Sequence, residues 1–418
     1  MVDSYDLKNY CHVNTDEGGD NFVGVKGDSA KVMVYFPLGY QLPDDNKVLG
    51  KEIRRLFSIL YIFNYKKDEM IRSGKLTQSQ STEFPILAFL NVLDYFMENN
   101  GHYYIETEKR LRTDTKGKIN WKKTIKNQKA FIKDNQLAFT KFSVEYKSPL
   151  NNQLITQIHK YCVYEAYQRL GWLYTSQRMS KPELIINDKN KRIAIQELNK
   201  KYSSTNNERN KLLFKSMKSM LEYIDDRNVD KSFHFGTKEF EYVWEKLIDR
   251  VFGISSKDEY FPKGVWMERD GSGEEIEKSP LQPDSIMICR DSSGKEKIYV
   301  LDAKYYRYGQ THNSNHLPDS SSISKQITYG EYIKDKKGKD NDQLFNAFIM
   351  PYNSLNNSFN TKEKFVNVAE AYGRWRANEY NYEKIQGILV DVRYILLNYL
   401  GNHDEDKRVL AECIERYL

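Results

Sequence analysis

The sequence predicts an α/β protein, with a mixed sheet flanked by helices in its C-terminal half and an α+β region before it. Three observations predict this. Apolar residues switch repeatedly between helical spacing and strand alternation along the 418 residues. The C-terminal half runs helix, hairpin, helix, strand, strand, an order that builds a mixed core. Hydrophobic residues make up 39% and charged residues 29%, so a chain of this length can bury a sizeable core and form two or three domains.

Each element follows from its local pattern. Residues 22–41 alternate around the turn signal Lys26-Gly27-Asp28 and read as a hairpin. Residues 47–66 place Ile53, Leu56, Ile59, Leu60 and Phe63 on one helical face. Residues 84–98 form a second helix with Pro85 in its first turn, and residues 151–175 a third. The stretch 200–211, KKYSSTNNERNK, is polar and reads as a linker ahead of a helix over 212–226. The expected domains are therefore 1–210 and 211–418. In the second, Phe240, Val243, Trp244, Leu247, Ile248 and Val251 form one stripe of a helix over 236–252. Strands at 284–289 and 296–306 join through Asp291-Ser292-Ser293-Gly294. A helix over 321–333 and strands at 345–352 and 386–397 complete the expected core.

Composition excludes several classes. No run of 18 apolar residues exists, so no membrane-spanning helix is expected. The start of the chain is acidic and polar, unlike a secretory signal. Cys11, Cys162, Cys289 and Cys413 lie far apart with no CxxC pair, which argues against zinc ribbons and disulfides and for reduced, cytoplasmic thiols. No GxxxxGK[ST] or GxGxxG motif occurs, so no nucleotide cradle of either type is expected. A formal charge of +6 leaves a nucleic-acid partner open.

The pattern that carries chemistry is Pro283-Asp284 followed by Asp302-Ala303-Lys304. Side chains two apart on a strand share a face, so Asp302 and Lys304 project together. Asp284 opens the partner strand of the same hairpin. Charges buried in a sheet are costly unless paired, and a divalent metal held by Asp284 and Asp302 offsets that cost. Mg²⁺ takes oxygen ligands and keeps waters, so two carboxylates with the Ala303 carbonyl suffice. Lys304 is placed to orient or deprotonate a bound water and to stabilise charge on a phosphate. Glu245, on the Trp244 helix, is the candidate third acid and metal ligand, with Glu241 one turn earlier as its alternative. Asp6–Lys8, Asp45–Lys47 and Asp335–Lys337 repeat the D-x-K spacing but lie in polar stretches and read as solvated surface. The plain alternative for the 284–304 set is a structural salt bridge.

These residues resemble the PD-(D/E)XK nuclease superfamily, with Asp284, Asp302 and Lys304 on its motif positions. The likeness is nearer to LlaJI-type restriction endonucleases and the related McrC-like nuclease subunits. It runs through GKINWKKTI (117–125), FHFGTKEFEYVWEKLI (233–248), QPDSIMI (282–288), VLDAKYY (300–306), SISKQITYGEYI (322–333), AYGRW (371–375) and KIQGILVDVRYILLNYL (384–400). It implies a PD-(D/E)XK core and a Mg²⁺-dependent, site-specific endonuclease of a restriction system acting on double-stranded DNA. In that setting Glu245 is the helix acid, and Gln326 matches a glutamine of related nucleases and is expected near DNA. A homodimer, a cognate DNA methyltransferase and an AAA+ GTPase subunit are the partners it suggests. The alternatives are a McrC-like subunit that cuts only with a separate AAA+ NTPase and a catalytically inactive DNA-binding protein.

DNA recognition is expected in the N-terminal region. Residues 109–133 hold ten Lys or Arg against Asp114 alone. Lys118, Lys122 and Lys123 are candidate phosphate contacts, Arg110 and Arg112 candidate readers of guanine, and Trp121 sits among them. The plain alternative is a solvated basic helix face. The loop 307–322, RYGQTHNSNHLPDSSS, is a second candidate for DNA contact. His312 and His316 have metal-ligand spacing there but read first as loop residues.

Overall fold

The structure is a computed structural model that describes residues 6–28, 31–64, 84–133, 136–150, 153–175, 179–224, 232–269, 275–291 and 293–418. Residues 65–66, 151–152 and 225–226 of three expected helices, and Ser292 of the expected turn, lie outside the described residues. The chain forms two compact units: Met1–Ser81 with Ser232–Leu418, and Thr82–Lys231. These units do not coincide with a division at residue 210.

The first unit begins with β1 (Cys11–Val13), β2 (Val23–Gly27) and β3 (Val32–Phe36). The expected hairpin is β2 against β3, antiparallel with Val25 opposite Val34. Helix α1 (Asn46–Asn64) follows and buries Ile53, Leu56, Ile59 and Leu60, the stripe read from spacing.

The second unit contains α2 (Ile86–Glu98), β4 (Glu106–Asp114), β5 (Lys118–Ile119), α3 (Trp121–Asn127), β6 (Ala130–Lys133), β7 (Gln136–Phe139), β8 (Phe142–Leu150), α4 (Leu154–Leu170), α5 (Asp188–Ser204) and α6 (Glu208–Tyr223). The expected linker is not one, because α5 runs through Ser204 and α6 starts at Glu208. Helix α5 is polar yet forms, since a capping box at Asn187 and Asn190 starts it and a narrow Ala194–Leu198 stripe is buried. The Asn207 side chain accepts the Asn210 N–H and starts α6.

The chain then returns to the first unit as β9 (Phe233–Thr237), antiparallel to β2, giving the order β1-β3-β2-β9. Two glycines allow this pairing. A Cβ on Gly24 would lie 2.1 Å from the Phe235 carbonyl oxygen, and one on Gly236 would lie 2.1 Å from that of Val23. This pairing puts the first strands with the C-terminal half, and no composition shift in the sequence marks it. It also moves the start of the next helix, α7 (Phe240–Phe252), past the expected residue 236.

After the exposed ribbon β10 (Val265–Met267) and β11 (Glu275–Glu277) come β12 (Ser285–Arg290), β13 (Glu296–Ala303), α8 (Tyr308–Thr311), α9 (Ser320–Lys337), β14 (Leu344–Tyr352), β15 (Phe365–Tyr372), β16 (Lys384–Asp391), α10 (Val392–Asn398) and α11 (Asp404–Glu415). Strands β12 to β16 form one mixed sheet of order β12-β13-β14-β16-β15, in which β13, β14 and β16 are parallel and β12 and β15 antiparallel to their neighbours. Ile327, Tyr329 and Ile333 of α9 pack with Ile286, Ile298, Val300 and Phe348 of the sheet. The chain is thus mixed α/β. The expected strand over 386–397 is half a strand: the Asp391 side chain accepts the Tyr394 N–H at 2.6 Å and starts α10. Among the described residues no helix is long and apolar enough to cross a membrane.

Candidate active site

The candidate site forms where β13 ends. Asp302 pairs in register with Phe348 of β14, and the Lys304 N–H donates to the Ile349 carbonyl at 2.9 Å, extending the ladder by a residue. The alternation of the strand therefore still governs Lys304. Its Nζ lies 2.7 Å from Asp302 Oδ2, with the Asp302 side chain 5% and the Lys304 side chain 19% exposed.

Asp284 immediately precedes β12, whose Ser285 is opposite Leu301. Its Oδ2 accepts the Ala303 N–H at 2.8 Å. Lys257 Nζ donates to the Asp284 carbonyl oxygen at 2.7 Å and to Asp249 Oδ1 at 2.8 Å, which fixes the Asp284 backbone to α7. Burial, then the charges of Asp302 and Glu245, hold the Asp284 carboxyl well above the usual carboxylate range. Burial pulls Lys304 down, but the Asp302 and Asp284 carboxylates outweigh it and hold the ammonium above its usual range. A lysine so held is a fixed cation that can donate hydrogen bonds. Of its two expected roles, orienting a water fits this environment better than deprotonating one.

Helix α7 brings up the third carboxylate. Trp244 is fully buried and its Nε1–H donates to the Ile349 carbonyl at 3.2 Å, on the strand beside that of Asp302. Glu245, one residue on, has its carboxyl raised by burial first and by the Asp302 charge among others. Asp284, Asp302, Lys304 and Glu245 are thus near one another. Among the described residues, however, no three His, Cys, Asp or Glu side chains converge on one ion position, so Glu245 does not complete a three-carboxylate cluster here.

The donor set suits a hard divalent cation. Asp302 is buried and Asp284 half-buried beside it, with Lys304 on Asp302, and the repulsion of the two carboxylates adds to burial in raising Asp284. Oxygen donors with room for water are what Mg²⁺ prefers. His312 and His316 do not share this role: the His312 ring packs on Phe359 with centroids 4.4 Å apart, and His316 Nδ1 lies 2.7 Å from Thr311 Oγ1.

Gln326 differs from expectation. It is fully buried in α9, and its Nε2 donates to the Val300 carbonyl at 2.7 Å. Its amide braces the strand that carries Asp302 and is closed to DNA. Lys257 and Tyr329, whose hydroxyl donates to the Gln282 carbonyl at 3.0 Å, also hold the Asp284 segment. Neither carries a sequence signal, because each acts on a backbone carbonyl.

The basic segment lies in the second unit and is not one helix. Arg110 and Arg112 stand on β4, Lys118 on β5, and Trp121, Lys122 and Lys123 open α3. Arg110 pairs with Glu108, and Arg112 pairs with Asp114 at 2.9 Å. Lys118, Lys122 and Lys123 are exposed, and none of them joins an ion pair among the described residues. Trp121 is 55% exposed with its edge on Phe142.

The model of the LlaJI restriction endonuclease family matches residues 22–370 of this chain. The solved structure of Thermococcus gammatolerans McrB AAA+ hexamers with bound McrC matches 94% of this chain and 82% of that chain, at 15% sequence identity and a TM-score of 0.36. No curated protein matches.

Proposed function

The chain belongs to the LlaJI restriction endonuclease family, and on that premise we propose that it is a Mg²⁺-dependent, site-specific endonuclease hydrolysing phosphodiester bonds of double-stranded DNA. The observation that carries the reading is the Asp284–Asp302 pair, with Asp302 buried and Lys304 on it. The core is read as PD-(D/E)XK, with its motif on Asp284, Asp302 and Lys304.

Asp284 and Asp302 would hold the cation, with the Ala303 carbonyl beside them. When bound, Mg²⁺ supplies a water of lowered pKa and neutralises charge on the phosphate. Lys304 orients the attacking water and donates to the phosphoryl oxygens as negative charge builds. Glu245 contributes a polar wall that helps position water. Lys257, the Ala303 N–H and Gln326 hold the two aspartates in register. Lys118, Lys122, Lys123 and Trp121 are assigned to the DNA backbone, with Arg110 and Arg112 flanking them. Double-strand cleavage takes two sites or one that acts twice, and a homodimer would supply two. A cognate methyltransferase protects host DNA, and the setting is cytoplasmic.

The test is digestion of unmethylated plasmid and phage DNA with and without Mg²⁺, beside Asp302→Ala. Discrete fragments that need Mg²⁺ and vanish in the variant support the reading. Folded protein that binds DNA and never cuts it, even with an AAA+ NTPase and GTP or ATP, defeats it. Cleavage only after that addition would make the chain the nuclease subunit of an NTP-driven assembly.

A further inference from the structure

We propose that a polar cavity beside the end of β13 binds a nucleobase of the DNA substrate, and that Asn14, Arg307 and Gln310 read its edge. This inference rests on the nuclease reading above and deepens it.

The cavity, of about 470 Å³, lies in the first unit and is lined among others by Asn14, Glu17, Gln41, Arg307, Gln310 and Asn353. That is the size range of small-molecule sites. Three buried atoms on its lining residues have no hydrogen-bond partner among the described residues: Asn14 Oδ1, Arg307 Nε and Gln310 Nε2. Buried polar groups are normally paired, so three on one cavity point to a ligand that pairs them.

The other ends of these groups are anchored. Arg307 Nη2 pairs with Glu17 Oε2 at 2.8 Å, and Asn14 Nδ2 donates to the Phe22 carbonyl. Asn353 Nδ2 donates to Gln41 Oε1 at 2.8 Å. Gly39, at φ +78°, leaves the space that Gln310 occupies, since a Cβ there would lie 2.7 Å from Gln310 Nε2. The cavity is therefore preformed.

Its chemistry favours a base over a phosphate. Glu17 lines the cavity and balances Arg307, and the Asp16 carboxylate also acts on Arg307. A dianionic group would meet these carboxylates, whereas a neutral ring would not. One acceptor and two donors match the mixed edge of a nucleobase, which amides and guanidinium groups read. Because the reading atoms are buried, the base enters turned out of its stack.

Position ties the cavity to the site. Arg307 and Gln310 lie on the chain segment that directly follows Lys304. The intervening Tyr305 hydroxyl accepts the Leu38 N–H at 2.6 Å, holding that segment against the 38–42 strip that forms the far wall.

The test is selection of bound DNA from a random duplex pool by the full chain carrying Lys304→Ala, repeated with Gln310→Leu or Gln310→Glu added. Gln310→Glu is nearly isosteric at a half-buried position and guards against loss of fold. The expected result is that Gln310→Leu flattens base preference at one position by roughly ten-fold, while Gln310→Glu changes the preferred base there. Unchanged profiles, or a parent that selects no base at any position, overturn the inference. Mg²⁺-dependent cleavage by the unaltered chain is scored separately. Cleavage with unchanged profiles sinks the cavity alone, and base-selective binding with no cleavage even after an AAA+ NTPase and GTP or ATP are added sinks the nuclease reading alone.

Discussion

Lys304 Nζ lies 2.7 Å from Asp302 Oδ2, both on the same face of one strand, and this pair is the charged centre of the candidate site. The lysine is held protonated by the two aspartates, so its contribution is a fixed positive charge. Lys304→Met keeps the stem and removes that charge. DNA hydrolysis should fall by roughly 10²–10³-fold, with DNA affinity little changed. Single-turnover cleavage beside a binding titration checks this. A variant that still cuts at the parent rate would remove Lys304 from the chemistry.

Asp284 gives a pH prediction. Its carboxyl in the folded protein lies above the unfolded value, through burial and the neighbouring Asp302. The fold therefore resists its ionisation. The stability this group allows is complete below the ordinary carboxylate range and is lost as pH rises through the folded-state pKa. In EDTA, wild-type stability relative to Asp284→Asn should decline as pH rises from the ordinary carboxylate range, where the unfolded carboxyl begins to ionise, toward the folded-state pKa. Mg²⁺ should restore the wild type and leave the variant unmoved, because a ligand stabilises the state that binds it. Urea midpoints across pH, with and without Mg²⁺, decide it. Parallel profiles for the two proteins would contradict the assignment.

The site was legible because its signal is local. Strand alternation alone places Asp302 beside Lys304, and a short turn returns the hairpin to Asp284. The stripe of α7 was equally plain, and Trp244 is fully buried on it. What the sequence hid depends on partners distant in the chain. Strand β9 belongs to a sheet begun some two hundred residues earlier, and its permission is written only in Gly24 and Gly236. Asp391 looked like one more residue of an apolar run, yet its carboxylate caps a helix. Helix α5 is so polar that its narrow buried stripe at Ala194 and Leu198 gave no clear period. Gln326 reads from the sequence as a residue near DNA, because its acceptor is a backbone carbonyl of another element.

That buried amide gives the third prediction. Gln326→Leu keeps the volume and leaves the Val300 carbonyl without its 2.7 Å donor. Losing that buried hydrogen bond costs about 0.5–1.5 kcal/mol, read as a lower denaturation midpoint. The DNA affinity of the folded fraction should stay at the parent value. A loss of affinity at unchanged stability would instead put Gln326 at the DNA.

The basic segment is testable by salt. Lys118, Lys122 and Lys123 are exposed on β5 and α3, outside the ion pairs that tie Arg110 to Glu108 and Arg112 to Asp114. Each phosphate that is no longer neutralised by a lysine lowers the slope of log affinity against log salt by about 0.9. Gln at all three lysines should therefore weaken binding across all DNA sequences and flatten that slope by about two to three. Arg110→Gln and Arg112→Gln should each weaken binding less, because their charges already face a carboxylate. Titrations at several salt concentrations, with duplexes of unrelated sequence, measure both effects. A triple variant with the parent slope would place the phosphate contacts on another surface, and weakening confined to one sequence would mean that these lysines read bases.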